Sequence, residues 1–280
     1  MITTLPLSCL DAFNFDDGDV LFTAQMARDY YCATHGMALD DLAVQPLVIG
    51  CFLPEVWRQM IVETTATPAT HWLQGGSPRL YHGHVGGQAL SLMLMPAGAP
   101  LAAATLEEVI ACGGRAFLFV GSAGSLQSHV PVGSLVVVQN AVRHEGTSYH
   151  YLPAQAPAVA DERWVETLLA TGREIDISIF AGTTWTTDAP YRELKTTASD
   201  LRARGVLTVE MEAAAILAVA QARNVSVGIL LVISDEHSAD WRPAPGSAAF
   251  AAGVESAVQI ALRAARSYVH KDFGSSGDLG

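Results

Sequence analysis

The chain has 280 residues, enough for one large α/β domain or two small ones. Half of the residues are hydrophobic and only 16% are charged, which argues against global disorder and supplies the side chains of a well-buried sheet. The formal net charge of −12 makes sequence-independent nucleic-acid binding a poor expectation, because such binding needs Lys and Arg to neutralise phosphates.

Four cysteines (Cys9, Cys32, Cys51, Cys112) lie far apart with no CxxC, which fits a reduced, cytoplasmic protein better than a disulfide or zinc framework. Met1-Ile-Thr-Thr-Leu-Pro6 has no basic region followed by an apolar run, so no signal peptide is expected. The apolar stretches are interrupted well short of about 20 residues, so no membrane span is expected.

In chain order, Asp16-Asp17-Gly18-Asp19 precedes helical spacing over 20–35, an acidic first turn favoured by the helix dipole. Residues 47–52 read as a strand and 54–63 as a helix opened by Pro54. Residues 80–95 hold two strand-like runs around Gly86-Gly87, and 100–112 form a helix ended by Gly113-Gly114. Ala116–Val120 is a fully apolar strand running into a glycine turn, Gly121-Ser122-Ala123-Gly124. Strands are expected over 133–139, 175–181 and 227–233, and helices over 161–171, 191–204, 210–223 and 247–267. The Gly/Ser-rich tail, 273–280, reads as disordered. Alternating strands and helices, several strands apolar throughout, predict an α/β fold whose mixed or parallel central sheet is covered on both faces.

The polar groups cluster where strands end. Glycines in Gly121–Gly124 let a backbone approach a ligand, and free N–H groups in such a turn bind anions; an ordinary tight turn is the plain alternative. Arg143 can bind a phosphate or a base carbonyl, or can pair with Glu145 under a loop; Tyr149, His150 and Tyr151 can line a pocket. Trp185 and Tyr191 can stack on a flat ring, although an aromatic is more often core, and Asp188 reads best as a helix N-cap. Glu210 and Glu212 open a small, apolar helix, and Asp235 ends a core strand where α/β sheets place ligands. One carboxylate pair can hold a diol while the other acid protonates a leaving group; the plain alternatives are dipole and capping roles. His237 has no role in this reading, and the other histidines lack metal-ligand spacing.

Taken in order, Phe119-Val-Gly-Ser-Ala-Gly124, Val132-Gly-Ser-Leu-Val-Val137, Arg143-His-Glu-Gly-Thr-Ser-Tyr-His150, Thr186-Thr-Asp-Ala-Pro-Tyr-Arg192, Val209-Glu-Met-Glu212 and Ser234-Asp235 resemble the purine nucleoside/uridine phosphorylase superfamily. The similarity covers roughly 78–268, and the Val-Glu-Met-Glu plus Ser-Asp combination is its most specific part. It implies a phosphorylase-type three-layer sandwich with helices flanking a mixed sheet, cleavage of a nucleoside N-glycosidic bond, and a homo-oligomer. Together with the pass along the chain it gives the expected division: a peripheral segment over 1–45, a catalytic domain over 46–270 and a flexible tail over 271–280. By position, Glu212 accepts hydrogen bonds from the ribose hydroxyls, Met211 packs on the sugar and Glu210 supports the sugar or base side. Asp235 matches the acid of purine-type members, which protonates the departing base. Gly121, Ser122, Gly124 and Arg143 fall to the nucleophile, and Trp185, Tyr191 and Ser234 to the base. No cofactor is implied beyond inorganic phosphate as co-substrate, and no nucleic-acid or membrane partner.

Two departures stand out. Phosphorolytic members carry an Arg where this chain has Phe119, and a Gly-Asp-Pro-x-x-Arg-like loop where it has Gly50-Cys-Phe-Leu-Pro-Glu55. Arg143, Arg58 and Arg192 are the substitutes for the missing charge. Without that Arg the glycine segment resembles the hydrolytic branch, the methylthioadenosine/S-adenosylhomocysteine nucleosidases, whose base in the first loop aligns with Pro54, one residue before Glu55. The Arg143–Ser148 segment favours phosphorolysis; hydrolysis is the alternative, and a nucleoside-sensing module without turnover is a third.

Overall fold

The computed structural model describes residues 18–73, 79–237 and 241–273. Its elements in chain order are α1 (Ala24–His35), β1 (Leu47–Cys51), α2 (Pro54–Glu63), β2 (Thr67–Pro68), β3 (Leu80–Val85), β4 (Gln88–Leu94), α3 (Ala99–Ala111), β5 (Ala116–Ser125) and β6 (Leu135–His144). There follow β7 (Ala158–Val159), α4 (Glu162–Glu174), β8 (Ile179–Thr187), α5 (Lys195–Ala203), β9 (Thr208–Glu210), α6 (Ala213–Arg223), β10 (Ser226–Glu236), β11 (Arg242–Pro243) and α7 (Ala248–Phe273).

All the strands among the described residues belong to one mixed sheet. Along β5 the side chains alternate: Phe117 and Phe119 pack in the core layer that holds α3 and α6, whereas Leu118 and Val120 pack in the layer of α2, α4 and α7. On β10, Ile229, Leu231 and Ile233 join the first layer and Leu230 and Val232 the second. A strand buried on both faces needs no polar alternation, which is why these runs are apolar throughout. Helix α6 has the same cause: Ala213 to Ala220 are all buried. The sheet also closes on itself, because β5 pairs with β10, β10 with β6, β6 with β8, β8 with β9, and β9 again with β5.

Several expectations need correction. The first helix begins at Ala24, where the Thr23 hydroxyl accepts from Met26 N–H at 3.2 Å; its first turn holds no acid, and Asp19 precedes it. Asp16, Asp17, Cys9 and residues 274–280 lie outside the described residues. The glycine turn is not a turn: β5 runs through Gly121–Gly124 to Ser125, paired along its length with β10. Glu210 belongs to strand β9 rather than to the helix, and helix 191–204 reduces to a single turn over Pro190–Arg192 followed by α5. β6, β8 and β10 each run past their expected ends, so the polar segments are strand ends. The cause is tertiary: Arg143 lies opposite Thr186 and Asp235 opposite Gly124, and cross-strand pairing overrides local propensity.

Candidate active site

The site residues sit around the C-terminal half of β5. On one flank β10 accompanies β5 to its end. On the other flank β1 stops opposite Val120 and β9 starts opposite Gly124, so Gly121–Ala123 have a paired neighbour on one side only. The resulting notch lies at the carboxyl ends of parallel strands, the usual ligand position in α/β sheets. One row crosses it: Val209 on β9 and Asp235 on β10 both lie opposite Gly124, two strand spacings or roughly 10 Å apart across the sheet. A register shift between Ile233 and Asp235 marks a bulge at Ser234 and brings Asp235 into that row.

Glu210 ends β9 and is only 7% exposed. Its Oε1 accepts from the hydroxyls of Thr186 at 2.6 Å and Thr184 at 3.4 Å, and its Oε2 from the backbone N–H of Glu212 and Ala213 at 2.7 and 2.6 Å. Burial raises its pKa against the pull of these four bonds. The four bonds to this carboxylate come from the protein, so its support of the site runs through the backbone of Glu212 and Ala213. It caps the first turn of α6, whose N–H groups lack helical partners.

Glu212 is the residue that Glu210 positions. It occupies the N-cap of α6 without a side-chain capping bond, and its Oε1 accepts from Gly98 N–H at 2.5 Å. Gly98 is the N-cap of α3 and has φ +93°, a conformation that favours glycine. Burial pushes the Glu212 carboxyl up to about 7, the neighbouring Glu210 charge adds to that, and the Gly98 N–H opposes it. Met211 lies half-buried beside it.

Asp235 is enclosed by donors. His237 Nε2 lies 2.6 Å and Trp241 Nε1 2.9 Å from Oδ2, and the Ser234 hydroxyl donates to Oδ1 at 2.7 Å. Burial pushes Asp235 upward, but the bonds from His237, Ser234 and Trp241, with the His237 charge, outweigh it and hold the carboxyl below its usual range. His237 Nδ1 faces Glu193 Oε2 at 3.4 Å. Sequence alone assigns no role to His237, Glu193 or Trp241. The legible signal was that His237 stands two residues beyond Asp235, the spacing that returns a side chain to the same side of an extended chain.

Four other assignments are corrected. Arg143 spends its guanidinium on its own loop: Nε donates to Ser148 Oγ at 2.9 Å, Nη1 to the carbonyls of Pro153 and Ala156 at 2.6 and 2.8 Å, and Nη2 to that of Leu152 at 2.9 Å. Trp185 is core, 1% exposed against Leu126 and Leu201, with Nε1 donating to His144 Nδ1 at 3.1 Å. Tyr191 is 99% exposed. Asp188 caps no helix; its Oδ2 accepts from Gly146 N–H at 2.9 Å. Arg58 and Arg192 are exposed. Neither missing cation position holds a base: Phe119 is 1% exposed, its ring lies over Gly50, where a Cβ would come within 2.5 Å of it, and Phe52 packs beside it with centroids 6.2 Å apart, whereas Glu55, at the loop position, is exposed in the first turn of α2.

Among the described residues no helix is long and apolar enough to cross a membrane, and no three His, Cys, Asp or Glu side chains are grouped to hold a metal ion.

Residues 51–270 match the family described as the phosphorylase superfamily. A guanosine phosphorylase of Halorubrum lacusprofundi is 32% identical over 147 residues, 52% of this chain and 61% of that protein. A uridine phosphorylase of Thermococcus kodakarensis is 30% identical over 171 residues, 55% of this chain and 62% of that protein. The chain thus spans about three fifths of the length of these curated relatives. The crystal structure of a uridine phosphorylase from Vibrio fischeri superposes with a TM-score of 0.71 at 22% identity, covering 81% of this chain and 95% of the other, and the shared architecture is the phosphorylase-type fold. The chain belongs to the phosphorylase superfamily.

Proposed function

We propose that the protein cleaves the N-glycosidic bond of a purine nucleoside, passing the sugar to inorganic phosphate to give free base and ribose 1-phosphate. The observation that carries this reading is the row through Gly124, with the strand leading to Glu212 on one flank of β5 and Asp235 on the other. An ionised Glu212 accepts hydrogen bonds from the 2′- and 3′-hydroxyls and holds the sugar as it gains oxocarbenium character. The base leaves readily only if it leaves neutral, so a proton has to reach it from the Asp235 side. A purine offers a basic ring nitrogen for that proton, which favours purines over pyrimidines. Likeness alone does not choose: both guanosine and uridine phosphorylases are among the relatives. The family resemblance also supports phosphate as nucleophile and a homo-oligomeric assembly.

A second reading, hydrolysis by water, is favoured by one observation. Phe119, with Phe52 packed beside it, occupies the ground where one phosphate-binding arginine is expected, the acidic Glu55 stands at the other position, and Arg143 is engaged elsewhere. An apolar wall holds water more readily than a dianion without a counter-charge. The test is identification of the sugar product after incubation with purine nucleosides, 5′-methylthioadenosine included, with and without phosphate. Ribose 1-phosphate formed only with phosphate supports phosphorolysis. Free sugar formed at equal rates in both conditions overturns it in favour of hydrolysis.

A further inference from the structure

We infer that His237, held between Asp235 and Glu193 above Gly124, is the proton reservoir for the departing base, delivering its Nε2 proton by way of the Asp235 carboxyl. The inference rests on the glycosidic-cleavage reading above and names a positioning residue within it.

The imidazole is held by groups from several elements. Nε2 lies 2.6 Å from Asp235 Oδ2 on β10, and Nδ1 lies 3.4 Å from Glu193 Oε2, just ahead of α5. Its backbone is pinned as well: His237 N–H donates to Ser125 O at 2.7 Å, and Arg202 Nη2 of α5 donates to His237 O at 2.6 Å. Below the ring, a Cβ on Gly124 would meet His237 Cδ2 and Nε2 at 2.6 Å, so the glycine leaves the space that the imidazole fills. All three ionisable side chains are largely enclosed, at 22%, 19% and 14% exposure for His237, Asp235 and Glu193.

This arrangement fixes where the proton rests. The Asp235 bond, ahead of opposing burial and supported by the Asp235 and Glu193 charges, raises the His237 pKa, whereas Asp235 is held low. An ionised Asp235 has no proton of its own to give. As the C1′–N bond breaks, its electron pair passes to the base nitrogen. One proton leaves Nε2, is carried by the Asp235 carboxyl and bonds to the base. Imidazole is left neutral between two carboxylates and regains its proton from solvent.

The test uses the full chain, its His237→Gln and Glu193→Gln variants, and two substrates: inosine, whose base needs a proton, and p-nitrophenyl β-D-riboside, whose phenolate does not. Turnover by the unsubstituted chain comes first; none on either substrate overturns the cleavage reading and the reservoir with it. Given turnover, His237→Gln is expected to cut kcat on inosine by about 10²- to 10⁴-fold, the worth of a general acid, while the nitrophenyl riboside falls by less than about threefold. Glu193→Gln, which keeps the imidazole but removes one anion, is expected to move the basic limb of the inosine pH profile to lower pH. Equal losses on both substrates in His237→Gln, or an unmoved limb in Glu193→Gln, overturn the reservoir while leaving the cleavage reading intact.

Discussion

Glu212 offers the sharpest pH prediction. Its carboxyl is pushed up to about 7 by burial and by Glu210, yet it binds a diol well only when ionised. A pKa near 7 leaves the group about 90% ionised at pH 8 and about 10% at pH 6, so kcat/KM should fall about tenfold between them. The assay is initial-rate base release from a purine ribonucleoside over pH 5–9, where kcat/KM reports groups of the free enzyme. Glu212→Gln still accepts from Gly98 N–H but cannot ionise, so its kcat/KM should be low and flat across the acid limb. Stability supplies an independent check with a definite sign. The folded pKa lies above the unfolded value, so the group's favourable contribution is complete below about 4.5 and is lost as pH rises through about 7. Glu212→Gln should therefore melt higher than the unsubstituted chain at pH 8 and no higher at pH 4. An acid limb that persists in Glu212→Gln, or a variant less stable at pH 8, would refute this account of the carboxylate.

Three further substitutions separate structural from chemical roles. Glu210→Ala strands two backbone N–H groups and the proton of the Thr186 hydroxyl, and should lower the unfolding free energy by about 3 kcal/mol or more in denaturant titration. Arg143→Ala removes bonds to three loop carbonyls and should cost about 2–3 kcal/mol of stability while leaving the KM for phosphate within about twofold; a large rise in that KM restores Arg143 as a phosphate ligand. Gly124→Ala drives a methyl into His237 at 2.6 Å and towards Val209 Cγ1 at 3.2 Å, and should cost about 1–3 kcal/mol and reduce inosine turnover more than nitrophenyl riboside turnover.

Much of the architecture was legible, because burial on both faces writes itself into runs such as Phe117–Val120 and Val227–Ile233. Helix α2 was read with its true bounds, and the hairpin of β3 and β4 turns at Gly86-Gly87, both with positive φ. Strand ends were not legible where polar residues pair at long range, as Arg143 does with Thr186. The same blindness turned Gly121–Gly124 into a turn and Glu210 into a helical residue. In the site, residue type marked Glu212 and Asp235, but type does not tell an open carboxylate from one enclosed by four donors, and so Glu210 was grouped with Glu212. Arg143 and Trp185 are hard to read for a related reason: what a side chain faces depends on partners that the fold brings to it, such as Pro153 for Arg143 and His144 for Trp185. His237 and Glu193 lie 44 residues apart in sequence and meet only in the fold.

The most direct measurement is chromatographic detection of free base from inosine and guanosine with the unsubstituted chain and with Asp235→Asn. The account predicts base release by the former and a loss of about 10²- to 10⁴-fold in the latter, with nucleoside binding retained. Equal release by both, or binding by the unsubstituted chain with no base released, would contradict it.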